Sequence, residues 1–187
     1  NGSLEAMFKY LYLEKKEWAN TWINGGVIPI SLASSYLSEK RDGIYTPDEN
    51  LINESEVDLK SFAPVIKIAD EANIKNFSFI NCTINGKIIP DINNANYYKE
   101  DGYILSFSNI FSEDLARRLK KECCIKVVNL QKLKKIIDNQ MGKKGVMNNC
   151  AYTKDHKRNH FTKSVEDEWQ QEFRMYWSIK NNFKKTI

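Results

Sequence analysis

The residues best suited to chemistry in this sequence are a carboxylate, an amide and two hydroxyls beside apolar segments. Glu172 follows Gln170 by two positions, and Ser106 and Ser108 share the same spacing. Side chains two apart on a strand point to one face. A carboxylate braced by short hydroxyls can accept a hydrogen bond from a ribose hydroxyl and offset the charge of an oxocarbenium-like transition state. Glu172 and Arg174 also fit an ordinary cross-strand charge pattern, with solvent-facing serines on the neighbouring strand.

Two strands must position these groups. Residues 103–108 alternate between apolar and small polar side chains, and residues 172–177 alternate again. Such alternation is typical of strands with one face on the core. If the second strand begins at Gln170, its polar face carries Gln170, Glu172, Arg174 and Tyr176.

The N-terminal part of the chain predicts a strand, a helix and a second strand. Residues 8–13 alternate, and residues 14–24 have helical spacing with Trp18 and Trp22 on one face. Gly25-Gly26 predicts the helix end, because glycine adopts a left-handed cap without steric cost. Residues 27–32 predict a strand that Pro29 restricts to an edge or an end. Residues 1–6 are interpreted as an appended expression remnant.

Local signals define elements in the middle of the chain. Thr46, Pro47 and Glu49 fit an N-cap, a first helical position and a capping box, which predicts a helix start. Asn85-Gly86 between apolar runs predicts a tight hairpin, since both turn positions need positive φ. Ser112 predicts the N-cap of a helix that runs to about residue 121.

The C-terminal half predicts a buried strand over residues 123–128 and a helix over residues 130–140 that ends near Gly142. Residues 143–163 are polar and predict a partly loop segment. Strands and helices follow one another without regular alternation, which favours an α+β fold with mixed or antiparallel sheets and flanking helices. We expect residues 7–187 to form a single domain.

Composition and motifs exclude several classes of protein. Lys and Arg number 28 against 24 Asp and Glu, so the net charge is +4, and most lysine clusters fit solvated helix or loop faces. The chain has no Rossmann or P-loop fingerprint. It also has no apolar run of ~20 residues and no signal-peptide pattern. Four scattered cysteines are unlike a secreted disulfide framework, so we expect a cytoplasmic protein.

The histidine and cysteine side chains of the chain are candidate zinc ligands. Cys150, His156 and His160, with Cys123-Cys124 available, contain enough nitrogen and sulfur atoms for the ion. However, no C-x-x-C spacing is present, and adjacent cysteines on a strand do not easily face one ion. We therefore expect no metal, with buried thiols and surface histidines instead.

Three short motifs resemble the plan of the ADP-ribosyltransferase superfamily. They are Phe8-Lys9-Tyr10-Leu11 on the first strand, Ser106-Phe107-Ser108 centrally and Gln170-Gln171-Glu172 late in the chain. Members carry an early Arg or His, a central Ser-x-Ser strand and a late Gln-x-Glu or Glu-x-Glu. One departure is that Lys9 and Tyr10 stand where the early Arg or His is expected.

The resemblance implies a split sheet, NAD as the substrate and a role for each matching residue. Glu172 would orient the ribose 2′-hydroxyl and favour loss of nicotinamide, and Gln170 would position the acceptor. The remaining residues would contact NAD. Ser106 would brace Glu172 beside Ser108, Tyr10 or Tyr45 would stack on nicotinamide, and Lys9 or Arg41 would contact the pyrophosphate.

Small bacterial members of this superfamily are often toxins or phage-defence effectors. The resemblance therefore implies a protein or nucleic-acid acceptor and a neutralising antitoxin protein. Two other functions remain open. One is a nucleic-acid-binding or nuclease-like module that uses lysine clusters and exposed aromatics such as Tyr97 and Tyr98. The other is a non-catalytic interaction protein with a degenerate transferase fold, which the missing early Arg or His favours.

Overall fold

The computed structural model describes residues 8–37, 46–62 and 67–179. The expression remnant inferred at residues 1–6 lies outside this part of the chain, as do Arg41 and Tyr45. The described helices are α1 (Lys16–Asn24), α2 (Glu113–Arg118) and α3 (Leu130–Met141). Short 3-10 helices span Ala33–Leu37, Leu59–Phe62 and Val165–Gln170.

Strands provide most of the regular structure. In chain order they are β1 (Lys9–Leu13), β2 (Ser31–Leu32), β3 (Leu51–Asn53), β4 (Ile74–Phe79), β5 (Thr83–Ile84), β6 (Lys87–Ile88), β7 (Ile92–Lys99), β8 (Gly102–Ser108), β9 (Cys123–Val127), β10 (Val146–Asn149), β11 (Ala151–Thr153), β12 (Thr162–Ser164) and β13 (Glu172–Ser178). The predicted α+β class is therefore confirmed, and the larger sheets are antiparallel.

The main sheet has the order β10-β13-β8-β1-β9, and β2 also pairs with β8. Strand β13 pairs with β8 along its whole length, from Glu172 opposite Ser108 to Ser178 opposite Gly102. Strand β1 pairs with β9 over five residues but meets β8 only where Tyr10 lies opposite Ser108. Strand β2 meets the other end of β8, at Tyr103 and Ile104. Residues 105–107 of β8 therefore lie between the two residues that pair with β2 and the one residue that pairs with β1.

One face of the main sheet is apolar and packs against helices. Its buried cluster consists of Leu11, Leu13, Leu105, Phe107, Leu130, Ile137, Phe173, Met175 and Trp177. Trp18 and Trp22 of α1 pack against this cluster from one side, which explains their helical spacing. The alternation predicted for β8 and β13 is confirmed, because Phe173, Met175 and Trp177 all face this core.

A second, smaller sheet has the order β3-β7-β4 and its own cluster of Leu59, Ile92, Ala95 and Tyr97. Tyr97 is 5% exposed, so the expectation that it is a surface aromatic is wrong. Its ring fills the core of the small sheet because it alternates with Tyr98 along β7. Reciprocal backbone hydrogen bonds between Asn53 and Arg158 tie this sheet to the segment before β12.

Several local predictions are confirmed. Helix α1 ends at Gly25, whose φ is 88°, and α3 ends at Gly142 in the left-handed conformation. Asn85 and Gly86 join β5 to β6 with φ values of 50° and 73°. Ser112 caps α2 by accepting a hydrogen bond from the Leu115 amide.

Two predictions are corrected. The second strand covers Ser31–Leu32 rather than residues 27–32, because Pro29 lacks an amide to donate and Val27 is 95% exposed. Thr46 begins a turn rather than a helix. Residues 143–163 are partly loop, as predicted, and they also hold β10, β11 and the start of β12. No helix of the described residues has both the length and the apolar character required to cross a bilayer.

Candidate functional site

The carboxylate of Glu172 lies at the centre of a buried polar cluster on the other face of the main sheet. Ser106 Oγ donates a 2.6 Å hydrogen bond to its Oε1, and Arg174 Nε donates a 2.8 Å bond to the same oxygen. Lys163 Nζ donates a 3.0 Å bond to Oε2. Glu172 is only 5% exposed. A hydroxyl and two cations therefore fix the orientation of one carboxylate.

Strand register explains why these side chains meet. Glu172 lies opposite Ser108 and Arg174 lies opposite Ser106, so Ser106 is the diagonal neighbour of Glu172. Diagonal positions on one face of an antiparallel pair are within reach of long side chains. The period-two alternation of β8 and β13 thus dictates the contact between Ser106 and Glu172.

Gln170 reaches the cluster by a different route from the one predicted. The strand begins at Glu172, while Gln170 ends the 3-10 helix and Gln171 has a left-handed φ of 42°. Gln170 Oε1 accepts a 3.0 Å hydrogen bond from Lys163 Nζ, and its Nε2 donates to Asp167 Oδ1 at 3.1 Å. The expected strand start at Gln170 is wrong, yet its amide still lies beside Glu172 through their shared lysine.

Lys163 is the main site residue that the sequence did not reveal. It lies on β12, is 6% exposed and connects Gln170, Glu172 and, at 3.5 Å, Asp167. Lysine is almost never fully buried unless it is paired. The surrounding polar sequence predicts a solvated loop, and only the fold brings β12 against the start of β13.

Glu49 completes the ionic cluster from a separate segment. Its carboxylate forms an ion pair with the Arg174 guanidinium, and both side chains are 3% exposed. The predicted capping box at Thr46 and Glu49 is not formed, because the chain makes a turn there and Glu49 faces the arginine. Arg174 therefore lies between two carboxylates, those of Glu49 and Glu172.

The protonation states follow from this arrangement. Burial by itself would raise the pKa of Glu172, but the charges of Arg174 and Lys163 hold it well below its ordinary value. Burial opposes the charge of Lys163 too, and the two carboxylates still raise its pKa. Burial raises the pKa of Glu49, against the attraction of Arg174 and Lys163. Glu172 is therefore an ionised acceptor at neutral pH.

A cavity of about 310 Å³ opens onto this cluster. Its polar side is lined by Ser106, Lys163, Gln170, Glu172, Arg174 and Glu49, and its apolar side includes Leu11, Leu13, Phe107, Trp18 and Trp22. Residues from β1 and from positions 104–107 of β8 both line the cavity, so it occupies the place where these strands diverge. Its volume is at the lower end of the ~300–1,000 Å³ typical of small-ligand pockets.

The remaining predicted residues lie elsewhere. Ser108 is buried, donates to the Gln170 carbonyl at 3.0 Å and accepts from the Ile110 amide, so it fixes the chain beside the cluster. Lys9 projects to the apolar face, with Nζ 5.2 Å from the Phe173 ring centroid. Tyr10 packs against Phe8 and Phe111. Neither Lys9 nor Tyr10 lines the cavity.

The histidines and cysteines do not form a metal-binding cluster within the described ranges, which contain no suitable group of three or more His, Cys, Asp or Glu. Cys150 is buried, and burial raises the pKa of its thiol to about 12. His160 stacks on Tyr176 at 3.8 Å, and His156 contacts the Ser55 carbonyl at 2.8 Å. His160 is therefore a core residue rather than the surface histidine that was expected.

Comparisons with protein-family models, curated proteins and solved structures gave no match. The geometry of the cavity is therefore the basis for assigning a function.

Proposed function

We propose that this protein is an NAD-dependent ADP-ribosyltransferase-like enzyme whose reaction takes place at Glu172. The observation that carries the proposal is the 2.6 Å hydrogen bond from Ser106 to Glu172 on the wall of a cavity. It joins two of the three short motifs that resemble this superfamily, although 66 residues separate them in sequence.

The divergence of two strands supports the same proposal. Strand β1 shares five residue pairs with β9 but one with β8, and the cavity lies in the gap. A split between two halves of a sheet is what the resemblance implies for the NAD site. The aromatic rings of Trp18 and Trp22 line this gap and offer faces on which a nicotinamide ring can stack.

In this proposal Glu172 acts through a directed hydrogen bond. Within the described residues its Oε1 accepts two hydrogen bonds and its Oε2 accepts one, so Oε2 retains a lone pair for a ribose hydroxyl. When Glu49 and Glu172 are both ionised, they balance Arg174 and Lys163. With Asp167, 3.5 Å from Lys163, the cluster has three carboxylates for two cations, so Glu172 can offset positive charge that develops on the ribose.

The cations of the site differ from those of the superfamily plan. Lys9 occupies the early Arg or His position but faces the apolar core, so it is not proposed as the pyrophosphate ligand. Arg174 and Lys163 place positive charge on the cavity wall instead. We assign them to positioning Glu172, because both donate directly to its carboxylate. A role as a toxin or phage-defence effector, with a neutralising antitoxin, remains part of the proposal.

The test is release of nicotinamide from NAD labelled in that ring. We expect Glu172→Gln to lower the rate at least ~100-fold, as does loss of one preorganised polar group in other active sites. Ser106→Ala removes the brace but keeps the ionic cluster, so it should lower the rate less and leave the fold intact.

Glu166→Gln is the matched control, because Glu166 is exposed on the neighbouring 3-10 helix. Circular dichroism of each variant separates loss of activity from loss of fold. A wild-type protein that releases no nicotinamide would refute the proposal. Equal turnover by folded Glu172→Gln would also refute it.

A further inference from the structure

An exposed group of aromatic rings lies at one end of the main sheet and does not contribute to the cavity. Tyr10 contacts Phe8 with ring centroids 5.9 Å apart and Phe111 with centroids 5.7 Å apart. Phe8 is 45% exposed and Phe111 is 63% exposed. Large apolar rings that remain in water next to one another are typical of a binding surface. We refer to Phe8, Tyr10 and Phe111 as the aromatic ladder.

Cations accompany the aromatic rings at this end of the sheet. Lys126 Nζ lies 3.9 Å from the Phe8 ring centroid, and Arg118 Cζ lies 3.7 Å from the centroid of Trp169. Both basic residues are exposed. Of the two acidic residues in the first turn of α2, Asp114 is paired with Arg117 at 3.0 Å, and Glu113 is exposed. The surface therefore offers π-faces and positive charge together.

The same end of the sheet connects the ladder to the catalytic cluster. Tyr10 is the backbone partner of Lys126 on one side and of Ser108 on the other, and Ser108 is the partner of Glu172. Paired residues share a face of the sheet, and neighbouring strands are ~4.8 Å apart. Tyr10 is thus about 10 Å from Glu172 across the sheet. A molecule held on the ladder has its next unit within reach of the cavity.

Stacking faces combined with exposed cations fit a single nucleic-acid strand. Every base has a π-face that stacks on an aromatic side chain, and the phosphates are attracted to lysine and arginine. A duplex hides its base faces. A protein partner fits less well, because charged residues are depleted at the centres of protein interfaces whereas Lys126 lies directly over a ladder ring.

We propose that the aromatic ladder, with Lys126, binds single-stranded nucleic acid and presents it to the cavity as the acceptor. A nucleophilic oxygen or nitrogen of the strand then bonds to C1′ of the ribose as the bond from C1′ to nicotinamide breaks; nicotinamide leaves, and the acceptor atom loses its proton to solvent. The binding surface is inferred from the ring and cation contacts alone, whereas the acceptor role rests on the proposed function. Tyr10, implied above as a nicotinamide-stacking residue, contributes instead to acceptor binding.

Fluorescence anisotropy without NAD tests the surface. The probes are labelled oligothymidine and oligouridine of about twelve nucleotides, a length that spans one typical single-strand site. A mixed-sequence strand of the same length is compared alone and annealed to its complement. We expect Phe111→Ala to weaken single-strand binding ~5- to 100-fold, the loss associated with one stacked base. Ile23→Ala removes an equally exposed apolar side chain from α1 and should not change affinity.

The salt dependence of the affinity for the single strand tests the role of Lys126. Lys126→Ala should reduce the slope of log affinity against log salt by ~0.7, the value for one phosphate contact on a single strand. Lys135→Ala, an exposed lysine of α3, should leave the slope unchanged. Three results would each overturn the proposed binding surface: preference for the duplex, equal effects of Phe111→Ala and Ile23→Ala on affinity, or absence of binding.

The experiments distinguish failure of the proposed transferase activity from failure of the proposed binding surface. If wild type binds the strand but releases no nicotinamide from NAD, the surface stands and the transferase is refuted. Under the full proposal, Glu172→Gln binds the strand like wild type. With NAD labelled in its adenine ring instead, Phe111→Ala still releases nicotinamide but transfers little labelled ADP-ribose to the oligonucleotide. Equal transfer of label by Phe111→Ala and wild type would overturn the acceptor role.

Discussion

At the scale of single residues, Lys163 is a buried cation that contacts three polar groups of the site. Its ammonium group donates to Gln170 and Glu172 and faces Asp167, and 6% of the residue is exposed. Removing one member of a buried ion pair leaves the other charge without compensation, which costs more than the pair contributes. The lysine thus allows Glu172 to remain ionised inside the fold.

We expect Lys163→Met to lower the free energy of unfolding by ~3–5 kcal/mol, because Glu172 and Glu49 then share one cation. The measurement is urea denaturation at neutral pH. Lys132→Met, on the exposed side of α3, is the control and should change stability by less than ~0.5 kcal/mol. Similar values for the two variants would show that Lys163 does not support the buried carboxylates.

At the scale of elements, close packing around Trp177 joins α3 to the main sheet. Trp177 is fully buried, and its Nε1 donates to Asp138 Oδ1 at 2.7 Å. The amide of Gly145 donates to the same oxygen at 2.9 Å. A Cβ atom at Gly145 would lie 2.4 Å from Trp177 Nε1, so the loop before β10 passes the indole without room for a side chain.

Gly145→Ala should therefore displace Trp177 and destabilise the protein by ~1–3 kcal/mol, as overpacking of a core does. Chemical denaturation gives the stability, and a shift in tryptophan emission gives the displacement. Lys144→Ala changes the exposed neighbouring position and should have little effect on either quantity. Unchanged emission and stability in Gly145→Ala would mean that the loop can move without cost.

Elements with a local cause were predictable from the sequence. Alternation gave β8 and β13, and capping residues gave the C-terminal ends of α1 and α3 and the start of α2, which ends at Arg118 rather than near residue 121. The ionic cluster was only partly predictable. Ser106, Gln170 and Glu172 carry a motif, whereas Glu49 and Lys163 come from segments that read as a helix start and a loop. Their burial depends on contacts between residues far apart in sequence, and local patterns do not encode those contacts.

At the scale of the whole molecule, stability in mild acid depends on a second buried group, which lies beside the ionic cluster. His160 is 7% exposed, and its carbonyl accepts a 2.9 Å hydrogen bond from Arg174 Nη1. Burial lowers the pKa of its imidazole to about 4, although Glu100 at 3.6 Å favours the charged form. The ring therefore stays neutral while the unfolded chain takes up a proton near pH 6.5.

The sign of the resulting effect follows from proton uptake. Between pH 6.5 and about 4 the unfolded state binds more protons at His160, so acidification through this window favours unfolding. A shift of this size corresponds to about 3 kcal/mol at most. The low pKa of Glu172 stabilises the fold above about pH 4.5, and this contribution is lost as the pH falls further. Glu49, whose pKa is raised, acts in the opposite direction.

We therefore expect His160→Phe to lose the part of the stability–pH slope that His160 contributes between pH 6.5 and 4. The phenyl ring can still stack on Tyr176, and the backbone bond to Arg174 is retained. Urea denaturation at half-unit pH steps measures the slope. Tyr176→Phe is the control, since it keeps both the stack and the imidazole, and its slope should match that of wild type. If His160→Phe retains the full slope, another group must take up the proton. The neutral imidazole would then not be the origin of acid sensitivity in this fold.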